Sequence, residues 1–246
     1  MNLGAPIAEG NTAKIYLDEN RVVKVYDYLS DQVAIFEATK QKYAYSCGLP
    51  VPKIIEVTKV DGRPAIIMEY IKGKTLGEMA LANEEKMAYY MNISVEVQLE
   101  IHSMIPNKIE SMNEKLYRQI KDTNRLNPKQ KNKILKKLDS YSYEKRLCHG
   151  DFHLFNLIQS DNQVIVIDWI DSSAGDIRAD VYRTYLLYNQ FSTELAEMYL
   201  RLYCDKSGLL RSEVFQWAPV IAAARLSENI PSDQVSQLMD IITSEI

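Results

Sequence analysis

The chain has 246 residues, 46% of them hydrophobic, and a formal net charge of −4. It can bury one large core or two lobes, and its charge gives no general attraction to nucleic acid or to an anionic membrane. Cys47, Cys148 and Cys204 lie too far apart for a metal pair or a disulfide framework. The first residues lack signal-peptide character and no stretch is long and apolar enough to span a bilayer, so a soluble cytoplasmic protein is expected.

In chain order, "AKIYLDENRVVKVYD" alternates apolar residues about Asp18-Glu19-Asn20 and predicts a β-hairpin. "SDQVAIFEATKQKYAYSCG" has helical spacing, with Ser30 as cap and Gly48 as stop. "VPKIIEVTKVDGRPAIIMEYI" predicts two strands joined at Asp61-Gly62. After about Thr75 the pattern turns helical, with a helix from Asn83 to about Met104 and another from Asn127-Pro128 to about Tyr141. A short hairpin, "NLIQS" and "VIVID" about "DNQ", precedes a helical remainder from about Arg178. The expected organisation is an N-terminal lobe over residues 1–70 and a helical lobe over 71–246. The five lysines between Lys129 and Lys137 read as a solvated helix face, since the aromatic interleaving of a nucleic-acid surface is missing.

The stretch "LCHGDFHLFNLI" concentrates polar groups between apolar flanks and holds two of the three histidines. Asp151 and Asn156 stand five apart, and Asp168 ends the apolar run "VIVID" twelve residues later. Phosphoryl transfer from a nucleotide calls for such a set: a carboxylate to orient a hydroxyl and take its proton, and oxygen ligands for Mg²⁺. Taken singly, each residue reads better as a turn cap or a strand end. The spaced combination favours the catalytic reading. His102 has no cysteine or second histidine near it in sequence, so zinc is not expected there.

"HGDFHLFN" followed by "VIDW" resembles the catalytic segment of the aminoglycoside phosphotransferase and choline kinase family, and the resemblance extends over nearly the whole chain. It implies an α+β, bilobal protein-kinase-like fold, with a small mixed β-sheet lobe carrying one main helix and a larger, mostly helical lobe. "IAEGNTAKIY" resembles the loop over the phosphates, implicating Gly10, Asn11 and Thr12. Lys24 matches the lysine on the α/β-phosphates, and Glu37 the helix glutamate that holds it. Met68, Glu69, Tyr70 and Ile71 match the hinge where the adenine lies. His102, His149 and Asp180 match groups that support the catalytic loop, and His153 is a candidate for touching substrate or for satisfying the loop backbone. Leu154 and Phe155 depart from the family, which often has proline and glycine there.

The segment after Asp168 enters a helical pattern within about ten residues and contains no A-P-E. A protein kinase builds its peptide platform there, so the expected acceptor is a small molecule with a hydroxyl. Asp171 and Asp176 follow the metal aspartate, and the tail after Arg225, with Glu228, has no basic residue. The tail reads first as solvated surface; if it folds back toward Asp171 and Asp176, the pocket is anionic and suits a cationic acceptor such as an aminoglycoside, choline or another amino alcohol. Mg²⁺ and ATP are the expected cofactors, with GTP not distinguished from ATP, and oligomeric state is not legible. A non-catalytic nucleotide-binding protein of the same fold is the alternative, and a protein kinase a more distant one. The retention of Lys24, Asp151, Asn156 and Asp168 argues for activity.

Overall fold

The computed structural model describes residues 3–10, 12–27, 29–161 and 163–245. Strand β1 (Ala8–Glu9) leads into β2 (Ala13–Asp18), which turns at Glu19-Asn20 into β3 (Arg21–Tyr26). Helix α1 (Asp31–Ser46) ends just before Gly48, whose φ of +83° stops it. Strands β4 (Ile54–Val60) and β5 (Arg63–Glu69) flank Asp61 and Gly62, which both take the positive φ a tight hairpin turn requires. Next come β6 (Lys74–Thr75), α2 (Leu76–Ala82), a 3₁₀ turn at Glu84–Lys86, α3 (Met87–Ser103), α4 (Met112–Asp122) and α5 (Pro128–Asp139). Strand β7 (Arg146–Cys148) and a second 3₁₀ turn (Leu154–Asn156) precede the hairpin of β8 (Leu157–Ser160) and β9 (Gln163–Val166). Strand β10 (Ser173–Gly175) is followed by α6 (Ile177–Asn189), α7 (Thr193–Ser207), α8 (Arg211–Phe215), α9 (Ala218–Arg225) and α10 (Ser232–Glu245).

Two compact units result. The first takes Met1–Glu85 and Leu154–Asp171, the second Lys86–His153 and Ser172–Ile246. In the first, an antiparallel sheet runs β1-β2-β3-β5-β4. Tyr16, Val23, Val25, Val60, Ala65 and Ile67 pack together on one side. Tyr26, Ile54, Ile66 and Met68 pack with Ala34 and Ala38 of α1 on the other. Period-two alternation therefore sends Lys24, between Val23 and Val25, to the α1 side. A second sheet, β6-β8-β9, binds the later hairpin into this unit through Lys74↔Gln159 and Thr75↔Ile158. Gly73 permits that pairing, because a Cβ there would lie 2.1 Å from the Gln159 carbonyl oxygen.

The second unit is helical, with β7 and β10 pairing antiparallel at Ser173↔Cys148 through Gly175↔Arg146. Every residue of α9 is buried. Helix α5 starts as expected, with Asn127 and Gln130 in a reciprocal capping box. Three details differ from expectation. Ser30 precedes α1 without a side-chain capping bond. The helix expected from Asn83 begins at Met87, because a 3₁₀ turn intervenes. Helix α4, not anticipated, buries Met112, Leu116 and Ile120 at four-residue spacing in an otherwise polar segment. Among the described residues, no helix is long and apolar enough to cross a membrane.

Candidate active site

The first unit brings three of the sequence-selected residues together. Lys24 Nζ donates to Glu37 Oε1 at 2.6 Å and lies 3.4 Å from Asp168 Oδ1. Glu37 is buried, and its second oxygen accepts from the Tyr26 hydroxyl. Burial alone would lower the Lys24 pKa, but Asp168 and Glu37 outweigh it and raise it, so the ammonium stays charged. Asp168 has φ +63°, a left-handed conformation uncommon for a residue with a Cβ. The segment after it is tied down: Trp169 Nε1 donates to Val166 O at 3.1 Å, and the buried Lys40 of α1 donates to Ile170 O at 2.8 Å.

Asn156 is buried at the end of its 3₁₀ turn, and its carbonyl accepts from Ile167 N at 3.0 Å. The β8–β9 register, Leu157↔Val166, thus sets Asn156 beside the chain entering Asp168. The pairing is a backbone one, and by donor type the side chains it carries, an amide oxygen and a carboxylate, suit a hard divalent cation such as Mg²⁺, which uses few protein ligands. Phe155 is half-exposed, and its ring lies over Gly77, where a Cβ would come within 2.6 Å of it.

The expected nucleotide loop and hinge also lie in this unit. Gly10 N donates to Ala13 O at 2.9 Å, closing the β1–β2 turn. Thr12 is exposed and its carbonyl accepts from Asp27 N at 3.0 Å, while Asn11 lies outside the described residues. Met68 is buried, Glu69 N donates to Lys53 O at 2.9 Å, and Tyr70 N donates to Asn20 O at 3.3 Å. Ile71 and Asp171 are half-buried.

The second unit holds the other group. The left-handed Gly150 donates its N–H to Asp180 Oδ1 at 2.7 Å, and His149 N donates to Asp180 Oδ2 at 3.3 Å. Asp180 Oδ2 also lies 2.9 Å from His102 Nε2 and accepts from Gln98 at 3.2 Å. His102 Nδ1 is 2.6 Å from the Tyr203 hydroxyl. Burial would raise the Asp180 pKa, yet the His102 hydrogen bond and the nearby histidines hold it below the usual carboxylate range. His149 is fully buried and its Nδ1 accepts from Asp151 N at 3.3 Å.

The Asp151 carboxylate has His153 Nε2 at 3.6 Å and Arg183 Nη2 at 3.8 Å. Burial opposes its ionisation. The neighbouring His153 and the Arg183 charge outweigh that and keep its pKa well below the ordinary value. Arg183 in turn donates Nε to Gly150 O at 3.1 Å and Nη1 to Glu228 Oε1 at 2.7 Å.

Asp176 is buried as the cap of α6, accepting from Arg178 N at 2.8 Å, from the Arg178 guanidinium and from Trp217 Nε1 at 3.1 Å. Its carboxylate is thereby engaged within the second unit. Glu228 lines a pocket of about 330 Å³ with Asp122, Thr123, Arg125 and Asn229. Because Arg183 meets its charge and Arg125 shares the lining, the tail does not turn this pocket uniformly acidic.

Sequence reading missed Tyr26, Lys40 and Arg183. Each sits on the same face as a selected residue: Tyr26 two along the strand from Lys24, Lys40 three along α1 from Glu37, and Arg183 three along α6 from Asp180. That spacing was the available signal.

Comparison with known proteins places the chain. It is 27% identical over 176 residues to acyl-CoA dehydrogenase family member 11 of Pongo abelii, covering 60% of this chain but only 22% of that protein. Among solved structures, a thermostable mutant of aminoglycoside phosphotransferase APH(4)-Ia, in a ternary complex with ADP and hygromycin B, superposes with TM-score 0.71 at 13% identity. That match covers 98% of this chain and 92% of the other. Choline kinase LicA from Streptococcus pneumoniae gives TM-score 0.67 at 16% identity, over 96% and 91% of the two chains. The fold is thus the α+β, kinase-like one. Since the phosphotransferase enzyme family model matches residues 4–216, the chain belongs to the phosphotransferase enzyme family.

Proposed function

We propose that the protein is a small-molecule kinase that moves the γ-phosphoryl group of ATP to a hydroxyl of its acceptor. The observation that carries this reading is the charged Lys24 held between Glu37 and Asp168. That arrangement suits nucleotide phosphates, and a chain that had lost phosphoryl transfer would have little reason to keep it along with Asp151 and Asn156 in its sequence.

In this reading the new bond forms between the acceptor oxygen and the γ-phosphorus as the bond to the β-γ bridging oxygen breaks. The electron pair departs with ADP and the hydroxyl proton passes to Asp151. Lys24, fixed by Glu37, steadies the α/β-phosphates. The β1–β2 turn at Gly10 and Thr12 covers the phosphates, and Met68 to Ile71 line the base. Asn156 and Asp168 would hold Mg²⁺, which when bound neutralises charge on the phosphate oxygens. His149, His102 and Asp180 keep the Gly150 turn in shape. Catalysis then rests on positioning and charge, with no covalent intermediate.

The acceptor's hydroxyl approaches Asp151, and the pocket at Glu228 and Asp122 takes the rest of the molecule. Its mixed lining suits a polyhydroxyl or amino-alcohol compound. The test is a screen of aminoglycosides, choline, ethanolamine and neutral polyols with Mg-ATP and with Mg-GTP, followed by nucleoside diphosphate release. Turnover of at least one acceptor, abolished by Asp151→Asn, is the expected result. Tight nucleotide binding without turnover on any of them would favour a regulatory nucleotide-binding protein.

A further inference from the structure

Arg183 contacts the segment around the proposed base in two ways and the C-terminal tail in a third. Its Nε donates to the Gly150 carbonyl at 3.1 Å, on the residue immediately before Asp151. Its Nη2 stands 3.8 Å from Asp151 Oδ1. Both terminal nitrogens donate to Glu228, at 2.7 Å and 3.2 Å. A planar guanidinium presents its donors in a fixed fork, so fastening two prongs to Glu228 fixes where the third points. At 3.8 Å the cation stabilises the Asp151 charge without a short hydrogen bond, which would tie up the oxygen that must receive a proton. The side chain is 13% exposed, so little water screens the charge.

We propose that Arg183 is a positioning residue for Asp151, and that Glu228 on the C-terminal tail aims it. The inference rests on Asp151 being the base. Glu228 is then a support for the base in addition to lining the neighbouring pocket. It keeps the guanidinium from closing onto Asp151, while Arg183 holds the Gly150 carbonyl and Asp180 holds the Gly150 N–H. His149 and His153 also act on Asp151, and of these three neighbours Arg183 is the permanently charged one.

The test compares Arg183→Gln, Glu228→Gln and the double variant in the full chain, with water as the acceptor in Mg-ATP hydrolysis. ¹³C NMR follows the Asp151 carboxyl, assigned by its loss in Asp151→Asn. Arg183→Gln should slow hydrolysis at least tenfold, leave the ATP dissociation constant within about twofold, and move the Asp151 titration upward. Glu228→Gln should slow hydrolysis three- to tenfold, and the double variant should be no slower than Arg183→Gln alone. A purely structural arginine would instead lower thermal stability with no change in the Asp151 titration. An unchanged titration in both single variants would overturn the proposal. If the wild type hydrolyses ATP no faster than Asp151→Asn, the role of Asp151 as base fails, and the titration still decides whether Arg183 and Glu228 govern its charge.

Discussion

Asp151 and Asp180 are both acids held ionised against burial, and they differ in what surrounds them. Asp180 is enclosed, with the Gly150 amide and His102 on its oxygens. Asp151 keeps about a quarter of its side chain exposed and has the Arg183 guanidinium beside it at longer range. The first arrangement suits a strut and the second a group that must exchange a proton. Asp151→Asn is expected to lower kcat by about 10²–10⁴-fold, the usual worth of a positioned base, with the nucleotide dissociation constant unchanged. Steady-state kinetics beside equilibrium nucleotide binding checks both halves. Asp180 carries a prediction of the opposite kind. Its pKa in the folded chain lies below that in the unfolded chain, so its stabilising contribution is full at neutral pH. That contribution is lost as pH falls through the carboxylate range. Asp180→Asn should therefore cost about 3 kcal/mol near pH 7, and its thermal stability should fall less steeply between pH 6 and pH 3 than that of the wild type. Scanning calorimetry across that range is the check, and parallel curves for the two proteins would contradict it. Asp151, Asn156 and Asp168 stand out as candidates in the sequence because an unusual combination of polar types stands at fixed spacing among apolar residues. Lys40 and Arg183 do not, because a lysine or arginine on a helix ordinarily faces water. Only the folded chain shows that one reaches the Ile170 carbonyl and the other the Gly150 carbonyl.

Elements long enough to carry a period were legible, and those fixed by distant partners were not. The β2–β3 and β4–β5 hairpins announce themselves by alternation and turn residues. Strands β6, β7 and β10 have two or three residues each, too few for a pattern, and β6 finds its partner more than eighty residues on. Two glycines give these contacts away only in hindsight. At Gly73 an added Cβ meets backbone, the Gln159 carbonyl at 2.1 Å, which cannot yield without parting β6 from β8. At Gly77 it meets the ring of Phe155, which is half-exposed and has room to swing outward. Gly73→Ala should accordingly destabilise the chain by about 2–3 kcal/mol, and Gly77→Ala by about 1 kcal/mol or less. Because Phe155 adjoins Asn156, Gly77→Ala should also raise the Mg²⁺ concentration needed for half-maximal activity. Denaturant unfolding and a Mg²⁺ titration separate the two effects. Equal losses of stability would mean that Phe155 is held as firmly as the sheet backbone.

At the scale of the whole molecule, the change from strand-rich to helical sequence near residue 75 was legible, whereas the return of residues 154–171 to the first unit was not. Nothing local in "LIQSDNQVIV" indicates which strands it joins. The answer lies in β6 and in Val166 N, which donates to Pro50 O at 2.8 Å. The consequence is that Lys24, Glu37, Asn156 and Asp168 belong to one unit although more than a hundred residues separate the first pair from the second. Ligand binding should reveal this grouping. If Mg-ATP binds through those four side chains, it stabilises the first unit as a whole, by about 2.7 kcal/mol at a hundredfold excess over its dissociation constant. Amides that exchange by opening of that unit should then slow by about 100-fold. Strands β3 and β5, helix α1 and the β8–β9 hairpin should gain this protection together, while α7 and α9 of the second unit gain less. Hydrogen exchange with and without Mg-ATP measures it segment by segment. Protection of β3 and α1 without the β8–β9 hairpin would mean that Asn156 and Asp168 take no part in holding the nucleotide and its metal, and the assignment of those two residues would fall with it.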